Sequence, residues 1–210
     1  AAGGIVKTPR NVNKLQQLIG RDLEDRFLKF PKFVSRLPTM NLCVRAGVAK
    51  KVMMNERLDR AFETDWGYKL TKMGKMAYEP KAIVWHQHRP TWGSYFAQQL
   101  SYGKFLPLLY LKNLGKSKGD HISKPHLGFQ LTVFSLFILS LFASLISSSA
   151  MTVTLYLFTF LLILFFIDAV RLSRGVYEFI LFIILYLTRT TAWFLGIIIG
   201  IFSMILGRLK

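Results

Sequence analysis

Acidic side chains are scarce in this sequence: 11 Asp and Glu stand against 28 Lys and Arg, for a formal net charge of +17. An excess of that sign favours anionic partners, whether phosphate-bearing substrates, lipid headgroups or nucleic acid. Charge of either sign is missing altogether from residues 127–167. That run is too long and too apolar for a soluble core helix, and it marks a membrane protein. Cysteine is nearly absent, and the single Cys43 excludes an internal disulfide framework and a cysteine-rich zinc site. A reducing cytosolic face is compatible with this. A secretory leader is not legible either, because the opening AAGGIVKTPR has no charged segment followed by an apolar run. These first residues read as the end of a strand and a turn, so the expectation is that further N-terminal sequence precedes them.

The charge is unevenly placed. Residues 1–126 hold 23 of the 28 basic residues and 9 of the 11 acidic ones, or +14. A cytoplasmic domain obeying the positive-inside rule accounts for this as well as a specific anionic ligand does.

Along the chain, Gly3 and Gly4 predict a tight turn into an extended segment at Ile5 and Val6. Asn11 or Asn13 caps a helix with Leu15, Leu18 and Ile19 on one face. The stretch DLEDRFLKFPKF alternates phenylalanines with basic residues and is interrupted by Pro31. It reads as a half-buried amphipathic helix, a membrane-surface segment or a base-stacking one. Residues 39–44 predict a strand and 46–54 a short helix. Asp59 is a candidate cap for the next helix, which carries Phe62, Trp66, Leu70 and Met73 on its apolar side and stops at Gly74. One or two short strands then deliver His86 and His88. Thr91 opens a long aromatic segment, predicted to be an interfacial helix broken near Gly103 and Pro107. A basic linker, residues 113–126, leads to apolar segments at 127–146, 150–170 and 179–206. Lys116, Lys118, Lys124, Arg171 and Arg174 mark the cytosolic side. The third segment, interrupted by Thr-Arg-Thr-Thr at 188–191, reads as one tilted helix or as a surface segment followed by a span. Three crossings would put Arg208 and Lys210 outside, against the charge rule, whereas a re-entrant pair keeps them inside.

Residues 55–89 concentrate the chemistry. Glu63 lies in a first helical turn with Asp65 just behind it. A carboxylate there complements the helix dipole, pairs with Lys69 or Lys72, or serves as a general base, since the dipole favours the ionised form. His86 and His88 alternate, so on a strand they face one side and supply two ligands of an incomplete metal site, or they cap and pack.

The order TMNLCVRAGV, then NERLDRAFETDWGYKLTKMGKMAYEPKAIVWHQHRPTWGSYFAQQLSYGK, resembles the second half of the family 2 glycosyltransferases of the GT-A fold. The shared pattern here is Asn41, Glu63 with Asp65, Lys69, Gly74, Pro80, His86, Gln98 or Gln99, and Tyr102 with Gly103, over residues 1–112. The resemblance implies an α/β fold, a partial GT-A-like (Rossmann-like) domain followed by transmembrane α-helices. It implies inverting transfer from a nucleotide-sugar donor to an acceptor hydroxyl or phosphate. Counting back from Lys69 and Leu70, the family's catalytic acid falls on Glu63, where Asp is usual, and Asp65 fits the motif's second acid. Asn41, Arg45, His86, Arg89 and Gln98 are the candidates for contacting the acceptor or a phosphate.

Two departures bear on this. The family's paired aspartates, which hold Mg²⁺ or Mn²⁺ on the donor diphosphate, have no counterpart in this chain, leaving His86 as a possible contact of the metal. This chain is therefore expected to be inactive without a donor-binding half. The Gln-x-x-Arg-Trp motif of processive synthases is also absent, because Ser101 and Tyr102 stand at the matching positions after Gln98. That points to single-sugar transfer onto a lipid-linked or membrane-associated glycan acceptor. The alternative is a non-catalytic membrane adaptor whose basic cytosolic domain binds anionic lipid. Nucleic acid is not expected as a partner, since no recognised motif accompanies the charge.

Overall fold

The computed structural model describes every residue but 57, 59, 114–119 and 210. Asp59 as a helix cap, the markers Lys116 and Lys118, and Lys210 therefore lie outside the described residues. The architecture is mixed α/β and mostly helical, with one small sheet and three long apolar helices.

The sheet has the order β2-β1-β3, with β1 (Ala2–Lys7) central, antiparallel to β2 (Leu42–Cys43) and parallel to β3 (Ala77–Trp85). The two glycines lie inside β1 rather than in a turn. A Cβ on Gly3 would stand 2.0 Å from the Asn41 carbonyl oxygen, and one on Gly4 would stand 1.9 Å from that of Ala82. Their role is close approach of neighbouring backbone. The β1–β3 register shifts between Gly4 and Ile5, opposite the part of β3 that holds Pro80, which has no amide to donate. The strand expected over 39–44 shrinks to two residues behind a 3₁₀ turn at Thr39–Asn41. There the Asn41 side-chain amide donates to the carbonyls of Ile5 and Ala82, both at 2.9 Å.

Helix α1 (Lys14–Phe27) starts at Asn13, not Asn11. The Asn13 side chain accepts from the Gln16 amide at 3.0 Å, and Gln16 accepts from the Asn13 amide at 3.1 Å. This capping box satisfies two amides that have no intrahelical partner. The helix buries Leu15, Leu18 and Phe27 and ends before Pro31. Helix α2 is shorter than expected, at Ala46–Lys51. Helix α3 (Phe62–Met73) follows Ala61, whose φ of 63° is left-handed, and ends at Gly74. Trp66 and Leu70 pack with Val34, Leu37 and Met76, but the cluster stops short of Met73, which is exposed.

Helix α4 (Trp92–Lys112) is unbroken, contrary to the expected interruptions, and begins with a Thr91–Ser94 capping box. Pro107 lacks the amide that would reach back to Gly103. At Gly103 another helix lies close, and a Cβ there would stand 2.6 Å from the Trp193 carbonyl oxygen. Helices α5 (Pro125–Ala143) and α6 (Ser148–Leu172) form a hairpin, and α7 (Val176–Ile205) is one continuous helix through 188–191. All three are long and apolar enough to cross a membrane. Helix α7 packs more extensively on α4 than on any other element, so the extramembrane and apolar parts are not separate bodies. Nor is 113–126 simply a polar linker: Asp120 is buried beside Arg36, at 2.6 Å from its Nε, and accepts from the Tyr68 hydroxyl at 2.9 Å.

The α4–α7 seam is sensitive to volume. A Cβ on Gly196 would lie 2.4 Å from the Leu100 carbonyl oxygen and 2.8 Å from Gly103 Cα, whereas one on Gly93 meets nothing within 4 Å. Gly196→Val is expected to destabilise by about 1–3 kcal/mol through overpacking, and Gly93→Ala to leave stability unchanged or slightly raised. Thermal unfolding in detergent distinguishes the two.

Candidate functional site

A cavity of about 850 Å³ opens where α3, α4, the segment after β3 and the membrane helices meet. Its wall residues are of two kinds, with the Asp22–Arg189 ion pair among them. Glu63, Thr64, His86, His88, Gln98 and Tyr102 form a polar group of wall residues, joined by Arg26, Arg36 and Lys124. Leu127, Leu131, Trp193, Ile197 and Ile201, from α5 and α7, form an apolar one.

The two candidate acids divide here. Glu63 lines the cavity, and its charge acts on His86, Arg36 and Tyr102. Asp65 is buried away from the cavity, 2.6 Å from Lys69 Nζ one turn along α3. At ~100° per residue, positions two apart on a helix point to nearly opposite sides, so only one of them can face the cavity.

Both histidines lie just past the end of β3 and line the wall, their rings edge to face at 5.2 Å. The His88 ring contacts Thr8 through Nε2 at 3.1 Å, and its carbonyl accepts from the Gln16 side chain at 2.7 Å. Burial pushes the His88 imidazole down to about 4, and His86 adds to the shift. Burial and then Arg89 lower His86, while Glu63 opposes them. Both rings are therefore neutral at pH 7. Burial, with Glu63, raises the Tyr102 hydroxyl, which keeps its proton.

Of the other candidates, Gln98 lines the cavity. Gln99, the alternative to it, is also in the wall, but its side chain accepts from the Trp193 indole at 2.9 Å and so fastens α4 to α7. Asn41 is occupied in joining strands, as described above, and is not part of the cavity wall. Arg45 and Arg89 are exposed and outside the wall, Arg89 reaching the site only through its field on His86. The divalent metal that the resemblance implies has no ligand set here. Among the described residues no three His, Cys, Asp or Glu come together to hold a cation, and no step below is routed through one.

Sequence reasoning missed Arg36, Tyr68 and Asp120, which brace the polar wall residues around Glu63. Burial opposes the charge on Arg36, but Asp120 and then Glu63 outweigh it, and the guanidinium is held above its ordinary range. Asp120 is correspondingly lowered: burial raises it, and Arg36 more than compensates. Arg36 Nη1 also donates to Thr64 at 2.5 Å, next to Glu63. The available signal was a lone arginine between Val34 and Leu37, but nothing local names its partner.

His88 makes stability depend on pH. Its folded-state value near 4 lies below the ordinary 6.5, so the unfolded chain binds more protons between those limits. Stability is therefore full above about 6.5 and falls as the pH drops towards 4. His88→Gln, which keeps a polar contact to Thr8, is expected to flatten the fall in melting temperature between pH 6.5 and 4.

Compared with protein-family models, curated proteins and solved structures, the chain has no match.

Proposed function

We propose that this chain carries the acceptor side and membrane portion of an inverting glycosyltransferase, one that moves a sugar from a nucleotide-activated donor to a lipid-linked or membrane-associated acceptor. The observation that supports this reading is the composition of the cavity. The cavity wall combines a carboxylate, two neutral imidazoles and an amide with Leu131, Trp193, Ile197 and their neighbours, on helices apolar enough for a bilayer. An amphiphile with a polar head and a hydrocarbon tail matches both kinds of wall residue. A soluble sugar acceptor matches only one.

In the proposed reaction the acceptor hydroxyl oxygen forms a bond to the anomeric carbon. The bond from that carbon to the donor's diphosphate oxygen breaks, and the nucleoside diphosphate leaves with the electron pair. Glu63 takes the hydroxyl proton. Attack from the face opposite the leaving group inverts the carbon. His86 and His88, both neutral, supply hydrogen-bonding nitrogens without repelling a cationic centre. Arg36 keeps positive charge next to Glu63 through its bond to Thr64. The basic extramembrane residues favour the cytoplasmic face for this chemistry under the positive-inside rule.

Two variants test the assignment in the full-length protein in membranes, with nucleotide-sugar donors and lipid-linked acceptors. Glu63→Gln is expected to lower turnover by ~100-fold or more, the scale of losing a general base. Asp65→Asn, which loses only its pair with Lys69, should lower it far less. Turnover that survives Glu63→Gln rules the assignment out. The lipid-binding adaptor instead shows no transfer activity at all, and liposome binding that falls with salt and is unchanged by Glu63→Gln. Leu131→Trp, which fills space beside the apolar wall residues, should raise the acceptor KM and leave the donor KM unchanged.

A further inference from the structure

Three helices are long and apolar enough to cross a bilayer, and three crossings would leave the two ends of α7 on opposite sides. The contacts of α7 are incompatible with that arrangement. Near its start, Glu178 takes Lys14 Nζ and Arg21 Nη1 of α1, each at 2.5 Å. At its middle, Arg189 Nη1 lies 3.0 Å from Asp22 of the same helix. Beyond its far end, Leu209 joins Leu58, Ala61 and Phe105 in one buried cluster, with Met204 packed against it. The extramembrane part thus grips α7 along its whole length. At ~1.5 Å per residue its 30 residues span about 45 Å, more than the ~30 Å of a hydrocarbon core.

Helix α4 supplies a second, independent constraint. It runs in the same direction as α7, from Gln99 against Trp193 to Lys104 against Gly200. With 21 residues it is long enough to cross, yet it is not apolar enough to be a candidate span. A helix packed along it therefore lies at its depth. The ring contacts and hydrogen bonds from the hairpin to α7 come from Gln130, Phe134, Phe165 and Phe166, toward the α1 end of α5 and α6. On the side away from these partners, Ile180, Ile184, Leu187, Leu195, Ile198 and Phe202 are exposed at helical spacing.

We infer that α7 lies in the plane of the membrane surface, its exposed stripe set among phospholipid acyl chains, and that the α5–α6 hairpin is the only part of the described chain that crosses. An apolar face in that position sinks ~5–10 Å into the headgroup and acyl boundary. Arg171, Arg174 and Arg208 then share one side with the basic extramembrane part, and the conflict with the charge rule disappears. This placement is independent of the transfer reaction.

Single-cysteine labelling tests it in sealed membrane vesicles of both orientations, with Cys43→Ser as background and a membrane-impermeant maleimide as the probe. Arg208→Cys is expected to label from the same side as Lys75→Cys on the extramembrane part, and Ser148→Cys, at the hairpin turn, from the other. Labelling of Arg208→Cys from the Ser148 side overturns the inference, and so does labelling of Ser148→Cys from the Lys75 side. A bimane at Ile198→Cys adds a depth measurement: it should be quenched most by lipids brominated near the headgroup, and strongest quenching at the bilayer centre overturns the in-plane placement.

Discussion

The charge cluster joining Asp22, Arg26 and Arg189 is the constraint on which the arrangement depends. The Asp22 carboxylate is bonded by Arg26 on its own helix and by Arg189 of α7, whose side chain is only 4% exposed. Burial pushes the Asp22 carboxyl up, but Arg26 and then Arg189 outweigh it and hold it below its ordinary value. A buried pair adds little net stability when intact, yet removing one partner strands a charge at ~3–5 kcal/mol. The cluster therefore acts as a registration device, because α1 and α7 meet at low energy only where all three groups meet. Glu178, between Lys14 and Arg21, fixes the same two helices a second time near the start of α7.

From that registration the site is assembled in two directions. On one side, α1 carries Gln16, which holds the His88 carbonyl, and Asn13, whose amide donates to the Pro90 carbonyl at 2.7 Å. These bonds set the segment that bears both histidines. On the other side, α7 presents Trp193, Gly196 and Gly200 to α4, the helix that brings Gln98 and Tyr102 into the wall that Glu63 shares. The cavity is the space left between these two lines of positioning, which is why its walls belong to elements far apart in sequence.

How far this was legible in the sequence depends on how local each determinant is. Asn13 and Thr91 announce their helices because a side chain within three residues completes each cap, and Gly74 ends α3 as expected. The apolar helices are legible from composition alone. By contrast, Arg189 looked like an interruption and Asp120 like part of a linker, because their partners lie 167 and 84 residues away. The continuity of α4 through Pro107 was hidden for a related reason: the close packing that Gly103 allows stabilises the helix where its own hydrogen bonding is weakest. For Glu63 and Asp65, the spacing already required that they face different ways. Which one faces the cavity depends on Lys69 and on the packing around α3.

The in-plane placement of α7 also bears on how an amphiphilic acceptor would reach the site. Trp193 and Ile197 line the cavity, while Ile198 and Phe202 on the same helix face outward. With an α-helix ~10 Å across including side chains, the cavity wall at Trp193 and Ile197 lies one helix away from the acyl chains. An acceptor tail entering past α7 from the bilayer would exchange one hydrocarbon environment for another, at little cost in desolvation. One entering from water would gain ~0.8 kcal/mol per buried CH₂, but it would already have paid a similar amount to leave the membrane. On the proposed function the apolar wall thus contributes position rather than affinity. It holds the acceptor at a fixed depth, with its polar head at the height of Glu63, and that depth is set by the buried charges that hold α7 to α1.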